Sequence, residues 1–153
     1  MIQKKTDGLL IVNCDVFVPS KINILGAHAE IINKMIACFS PKNIIVIGNL
    51  DKKSTLQLPN PVYSLKRSPK EKESCFDNPL LLSRLQKNNI KRLYIVGYDA
   101  NHCIKTTAVD AVNHAFETVV VENACAGQDT PPGAFKHSFS EIRQGGATVL
   151  NYD

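Results

Sequence analysis

The sequence lacks any apolar run near the roughly eighteen consecutive residues that a membrane-spanning helix needs. It has no recognisable secretory signal at its start, and its five cysteines form neither a CxxC pair nor a zinc-like spacing. We therefore expect a protein without a membrane partner and without a disulfide framework. Five thiols without a signal predict a reducing, cytoplasmic location.

Charge of one sign is not concentrated anywhere along the chain. The net charge is +4, from 18 Lys and Arg against 14 Asp and Glu. The densest basic stretch, residues 66–73, is interleaved with acidic side chains and contains no aromatic residue. Nucleic-acid-binding surfaces gather basic side chains into a patch or stripe. We interpret this stretch as a solvated loop and expect no nucleic-acid partner.

Short apolar runs alternate with helical patterns along the 153 residues, without an internal repeat or a linker long enough to divide the chain. The runs are continuously apolar, which is typical of parallel strands covered by helices on both faces. The pattern therefore predicts an α/β fold. The predicted strands are 9–13, 44–48, 62–65, 93–96, 118–121 and 148–150, and the predicted helices are 28–39, 79–87, 104–116 and 132–144.

The most informative segment joins the fourth predicted strand to the third predicted helix. It turns at Gly97 and places Cys103 at the start of the helix. Unpaired backbone N–H groups and the positive end of the helix dipole favour a thiolate at that position. A cysteine ahead of an amphipathic helix is often only a small buried hydrophobe, so placement alone leaves both interpretations open.

Polar residues also follow two other predicted strands. Asn13 and Asp15 come at the end of the first strand, and Lys66 follows the third. Ligands of open α/β sheets bind outside the carboxyl ends of the strands. Each residue alone is equally well explained as a cap or a solvated loop residue. Only their combination with Cys103 indicates a functional site.

These residues together resemble the isochorismatase-like cysteine hydrolases, a family that includes nicotinamidases. The resemblance spans essentially the whole chain. It rests on the motif Gly-x5-Cys-Val/Ile-x2-Thr-Ala-x-Asp-Ala, which starts at Gly97, and on Lys66 followed ten residues later by Phe76. It implies one Rossmann-like three-layer α/β/α domain over residues 1–153, with a six-stranded, mostly parallel sheet in the order 3-2-1-4-5-6.

The resemblance also implies a chemistry. Members of the family use a cysteine, a lysine and an aspartate, and they hydrolyse amides through a thioester-type intermediate. Cys103 matches the nucleophile and Lys66 the lysine, whose ammonium lowers the pKa of a nearby thiol. The family further implies a non-proline cis peptide at Tyr98–Asp99, with an oxyanion hole formed by the N–H groups of Asp99 and Cys103.

The acid departs from the family pattern. Asn13 stands where the aspartate belongs, and an amide cannot accept a proton at neutral pH. Asp15 lies two residues further on, about 6.6 Å along an extended strand, so its use requires a local bulge or bend. A displaced acid and an absent acid therefore both stay open.

Metal binding departs as well. Nicotinamidase-type members hold a divalent ion through an Asp-x-His motif after the second strand, but residues 48–55 contain no histidine. We therefore expect no metal and no other cofactor. Family members are usually oligomeric, so the resemblance implies a homo-oligomer with a small-molecule substrate. The candidate substrate-binding residues are Phe17, Tyr98, Asp99, Asn101 and His102.

The sequence thus favours a metal-independent cysteine hydrolase that acts on a small-molecule amide or related bond. Cys103 is the expected nucleophile, Lys66 stabilises its thiolate, and Asp15 or Asn13 takes the place of the acid. The alternative is a catalytically impaired relative that serves as a binding or interaction module, which the amide at Asn13 favours. A thiol redox role is a third interpretation.

Overall fold

The computed structural model describes residues 2–14, 27–48, 56–66 and 74–153. Its strands are β1 (Asp7–Val12), β2 (Ile44–Ile47), β3 (Tyr63–Leu65), β4 (Arg92–Tyr98), β5 (Glu117–Ala126) and β6 (Thr148–Leu150). Its α-helices are α1 (Ala27–Ile36), α2 (Pro79–Lys87), α3 (Cys103–Asn113) and α4 (Ala134–Gln144), with 3-10 turns at Pro41–Asn43 and Cys75–Asp77. Within these ranges no helix is both long and apolar enough to cross a bilayer.

The strands form one sheet in the order β3-β2-β1-β4-β5-β6. Every pair of neighbouring strands is parallel, which confirms the predicted class and strand order and sharpens "mostly parallel" to fully parallel. Parallel strands need helical crossovers, and these crossovers cover the faces of the sheet.

Alternate residues of β1, β2, β4 and β5 enter two separate hydrophobic clusters. Leu10 packs in the cluster that contains Ile104 of α3 and Phe139 of α4, whereas its neighbour Leu9 packs with Met35 of α1. Successive side chains of a strand point to opposite faces, so a continuously apolar strand contributes to both. Full burial of each such aliphatic side chain stabilises the fold by about 1.5–3 kcal/mol.

Two strands extend beyond their predicted ends. β4 continues to Tyr98, and β5 continues to Ala126, five residues beyond its predicted end at 121. In this region Ile95 pairs with Val120 while Gly97 pairs with Cys125, so β5 carries extra residues opposite β4. Such a bulge depends on the neighbouring strand and leaves no periodic signal in the sequence.

The third helix is shorter than predicted. α3 ends at Asn113 instead of continuing to residue 116. Ala115 has a φ of 69° and breaks the helical path. The N–H of Phe116 then bonds to the carbonyl of Ala111 at 3.0 Å and closes the end of the helix.

Gly97 controls how closely β1 and β4 approach. It has a φ of +120°, and a Cβ built on it would lie 2.1 Å from the carbonyl oxygen of Val12. Only glycine fits here without shifting the backbone. Because Val12 and Gly97 are register partners, the residues that follow them, Asn13 and Tyr98, lie at the same edge of the sheet.

Candidate active site

Cys103 is the first residue of α3, at the carboxyl end of β4, as the sequence predicts. The preceding residue, His102, is exposed, and its side chain makes no capping hydrogen bond. The carbonyl oxygen of Asp99 accepts the N–H of His102 at 3.1 Å and that of Ile104 at 3.0 Å. This turn holds the half-buried Cys103 at the positive end of an 11-residue helix.

The turn ahead of Cys103 contains a cis peptide between Tyr98 and Asp99, which confirms the geometry that the family resemblance implies. Asp99 is only 8% exposed, and its Oδ1 accepts the backbone N–H of Asn101 at 2.9 Å. A buried carboxyl group therefore lies four residues before Cys103, in the same turn.

Burial raises the pKa of the Asp99 carboxyl above its usual 3.8, because the carboxylate loses solvation. The N–H of Asn101 and the positive charges of His102 and Lys105 act in the opposite direction but do not overcome burial. Carboxyl groups with raised pKa values are common at sites that move protons.

Tyr98 is half-buried beside this carboxyl group. Burial raises the pKa of its hydroxyl, and the nearby charges of Asp99 and Cys103 raise it further, while a hydrogen bond with Gln128 lowers it. The Tyr98 hydroxyl therefore interacts with the Asp99 carboxyl group and lies within electrostatic range of the Cys103 thiol. Gln128 was not predicted as a site residue, because it lies beyond the predicted end of β5, in a segment to which the sequence assigns no position.

Asn13 lies just beyond the end of β1, with a φ of 52° and 8% exposure. Its N–H donates to the carbonyl of Ile47 at 3.0 Å. Its side-chain Oδ1 is buried and has no hydrogen-bond partner among the residues that the structure describes. The position of the family aspartate is thus held by an uncharged amide. Asp15 and Phe17 lie outside the described residues.

Lys66 follows β3 directly and is exposed. It lies at the same edge of the sheet as Cys103, but β2 and β1 separate β3 from β4. Three strand spacings, about 14 Å, therefore separate the ends of the strands that carry the two residues. The structure thus places Lys66 at the same edge of the sheet as Cys103, but the backbone of Lys66 does not lie beside the Cys103 thiol.

The side chain of Asn101 makes its hydrogen bonds within the protein. Its Nδ2 donates to Gln128 O and to Ser138 Oγ, both at 3.0 Å, and its Oδ1 accepts the N–H of Gln128 at 2.7 Å. Gly127 permits this approach, since a Cβ there would lie 2.5 Å from Asn101 Oδ1. Asn101 thus ties the segment after β5 and the start of α4 to the turn before Cys103.

A second cysteine lies next to the site and was missed in the sequence. Cys75 begins the 3-10 turn Cys75–Asp77, and its N–H donates to Thr107 Oγ1 at 2.9 Å. Burial raises the pKa of its thiol to about 12, and the nearby Cys103 contributes to that increase. Its position directly before Phe76 of the family motif was the only signal available.

The described residues do not fit a metal. No group of three or more His, Cys, Asp or Glu side chains within them converges at a distance suited to an ion. Residues 49–55, which include most of the region where the family resemblance implies an Asp-x-His motif, lie outside the described part. No step below is derived through a metal.

The parallel sheet and its helices make this an α/β protein. Its candidate site is centred on the Cys103 thiol at the turn between β4 and α3. A sequence model of the isochorismatase domain matches residues 53–153, which is more than half of the chain. The chain therefore belongs to the isochorismatase-like hydrolase family, as its motifs predict.

The nicotinamidase of Escherichia coli (strain K12) is 29% identical over 65 residues, which cover 42% of this chain and 30% of that enzyme. The match thus spans less than a third of the relative. A pyrazinamidase of Pyrococcus horikoshii, solved in complex with zinc, has a TM-score of 0.74 and 22% identity over 95% of this chain and 99% of that one. An isochorismatase family protein from Desulfovibrio vulgaris has a TM-score of 0.78 and 18% identity, over 96% and 94%. These structural similarities show the fold.

Proposed function

We propose that this protein is a metal-independent cysteine hydrolase that cleaves an amide or related bond in a small molecule through a thioester on Cys103. The observation that carries the proposal is the position of Cys103 as the first residue of α3, in the turn that also contains the buried Asp99. We extend the proposal to residues 1–153 as one hydrolase domain that forms a homo-oligomer, as the family resemblance implies.

In the proposed reaction the sulfur of Cys103 bonds to the carbonyl carbon of the amide. The C–N bond then breaks as the amine takes a proton and leaves, and water cleaves the thioester to release the acid and restore the thiol. The N–H groups of Asp99 and Cys103 stabilise the oxyanion, and the α3 N-terminus adds its positive potential. Lys66 stabilises the thiolate from the β3 side.

The proton that the leaving amine takes needs a donor that Asn13 is unable to supply. We propose a displaced carboxyl group, either Asp15 or the buried Asp99. The raised pKa of Asp99 supports the second choice, because a general acid is most effective when its pKa lies near the working pH.

For the substrate pocket we propose Phe17 together with Tyr98 and His102, which flank the turn that carries Cys103. Asn101 has a positioning role, because its side chain is committed to hydrogen bonds within the protein. The absence of histidine from residues 48–55 supports the metal-independent mechanism, because His is a principal ligand of the divalent ions that such sites bind.

The test uses a panel of small aromatic and aliphatic amides that includes nicotinamide and pyrazinamide. We expect turnover by the wild-type protein and, after acid quench, an acyl adduct on Cys103 in the intact mass. Cys103→Ala should lower turnover by about a thousandfold or more and abolish the adduct. Cys38→Ala, which alters a half-buried cysteine just beyond the end of α1, is the matched control and should leave both unchanged.

The second candidate function is a binding module, and the amide at Asn13 is the observation that favours it. In that case no amide is turned over, Cys103 carries no acyl group, and Cys103→Ala binds small amides as tightly as the wild type. Turnover that depends on Cys103 excludes this alternative.

A further inference from the structure

Two thiols of this chain, those of Cys75 and Cys103, lie in or against the same hydrophobic cluster around α3, and only Cys103 has a part in the proposed reaction. Cys75 is 9% exposed and belongs to the core cluster against which the half-buried Cys103 packs. The two residues are far apart in sequence, and the contact between the 3-10 turn and α3 brings them together. All five cysteines are in the thiol form.

Thr107 fixes the position of Cys75 along α3. Thr107 lies one helical turn after Cys103, so the two side chains share a face of the helix, with Cβ atoms about 5–6 Å apart. Thr107 is fully buried, and its Oγ1 accepts the N–H of Cys75 at 2.9 Å. The backbone N of Cys75 is therefore held 2.9 Å from a side chain that lies one helical turn after Cys103, and a disulfide requires the two Cα atoms to come within about 4.4–6.8 Å of each other.

We propose that Cys103 is a site of reversible oxidation and that Cys75 is its resolving partner, so that a hydroperoxide converts the two thiols into a disulfide. This modification does not depend on the proposed hydrolase activity. It requires only a reactive sulfur at Cys103 and a second sulfur within its reach.

The chemistry balances with one hydroperoxide. The sulfur of Cys103 attacks a peroxide oxygen, the O–O bond breaks, and the proton of Cys103 leaves with the departing hydroxide as water, giving a sulfenic acid. The sulfur of Cys75 then attacks the sulfenic sulfur, and the S–O bond breaks. The departing hydroxide takes the proton of Cys75 as a second water. Two thiols are oxidised, and one hydrogen peroxide is reduced to two waters.

Burial separates the roles of the two thiols. The pKa of Cys75 is raised to about 12, so this thiol stays protonated and does not compete for the oxidant, which reacts with thiolates. Condensation with Cys103 is nevertheless favoured, because the two sulfurs are held within one folded structure and react in an intramolecular step. Cys125 is equally buried but bonds to the carbonyl of Ile95 inside the sheet.

The experiment exposes the full-length chain to hydrogen peroxide, blocks the remaining thiols with N-ethylmaleimide and maps linkages by mass spectrometry without reduction. We expect a Cys75–Cys103 linkage that dithiothreitol reverses. In Cys75→Ala and in Cys75→Ser, we expect about tenfold more sulfinic and sulfonic acid at Cys103 than in the wild type, because no resolving thiol remains. Cys38→Ala should behave as the wild type.

Thr107 provides a matched pair of variants for the geometry. Thr107→Ser keeps the acceptor for the Cys75 N–H and should keep the Cys75–Cys103 linkage. Thr107→Val removes this acceptor and should lower the yield of the linkage severalfold. The proposal is overturned if Cys103 is over-oxidised equally with and without Cys75, if it links to another cysteine, or if it does not react with peroxide. Each readout is a mass, so failure of the amide assay does not affect it.

Discussion

The two ends of the β1–β4 pair differ in how completely their buried polar groups are matched. At the amino end, Asp7 is 1% exposed and is the register partner of Arg92. Arg92 Nη2 lies 2.7 Å from Asp7 Oδ2, and the N–H of Gln3 donates to the same oxygen at 2.7 Å. At this end Asp7 and Arg92 form a structural ion pair, and the Asp7 carboxylate has its hydrogen-bond partners.

At the carboxyl end of the same strands the polar groups are left incompletely matched. Asn13 Oδ1 is buried with no partner in the described part of the chain, and Asp99 keeps a raised pKa despite its neighbours. Folded proteins normally satisfy buried polar atoms, and exceptions concentrate at functional sites. The contrast supports the proposal that the amino end stabilises the fold and that the carboxyl end carries the active site.

The largest predicted effect concerns the close approach of β1 and β4 at Gly97, near the carboxyl ends of these strands. Gly97→Ala places a Cβ against the backbone of Val12 at a position with a φ of +120° and should cost about 4 kcal/mol of unfolding free energy. Gly133→Ala is the matched control, because Gly133 also has a positive φ of +92° but nothing lies within 4 Å of its Cβ position. It should cost only about 1 kcal/mol. Urea unfolding measures both, and equal losses would contradict the role of Gly97.

The second prediction breaks the amino end. Arg92→Met leaves the carboxylate of Asp7 buried without its cation and should cost about 3 kcal/mol in urea unfolding, the low end for a broken buried pair because Arg92 keeps some exposure. Adding Asp7→Asn should recover part of the loss, because no charge then remains buried. A double variant no more stable than Arg92→Met would show that the charge is not the cause.

The third prediction sharpens the contrast at Asn13. Asn13→Asp restores a carboxylate at the position of the family acid and should raise kcat/KM for small amides by about a hundredfold or more, the usual contribution of a positioned acid or base. The pH–rate profile of Asn13→Asp should have a second apparent pKa that differs from the second apparent pKa of the wild type. If kcat/KM stays unchanged or falls, the wild type already has a working acid or makes no use of one at this position.

The smallest predicted effect concerns Asp99. Its pKa in the folded protein is raised above the usual 3.8, so the folded state holds the proton more tightly and loses stability as pH rises through that window. Asp99→Asn lacks this loss and keeps an acceptor for the Asn101 N–H. It should therefore gain stability relative to the wild type as the pH rises from about 4 to 7, as measured by urea unfolding. A constant difference across that range would contradict the raised pKa.

Much of the fold follows from the sequence alone. Continuous apolar runs indicate strands buried on both faces, and all six predicted strands and four predicted helices are present in the described residues. The extension of β5 to Ala126 was not predictable, because a bulge is defined by the partner strand. Local periodicity carries no information about that partner.

The site was only partly predictable for a similar reason. Cys103 and the cis peptide after Tyr98 follow from a motif contiguous in sequence, and the structure places them as expected. Cys75 reaches α3 and Gln128 reaches the turn before Cys103 through tertiary contacts between distant segments, which a single sequence does not reveal. The unmatched amide of Asn13 likewise becomes visible only when burial is known.

The most direct test of the central claim is the rate at which iodoacetamide alkylates each cysteine of the native protein at pH 7, read by peptide mass spectrometry. The N-terminus of α3 and its surroundings should make Cys103 react about tenfold faster or more than Cys38, which is also half-buried. Alkylation of Cys103 at the same rate as Cys38, or more slowly, would contradict a reactive thiol at the carboxyl end of β4.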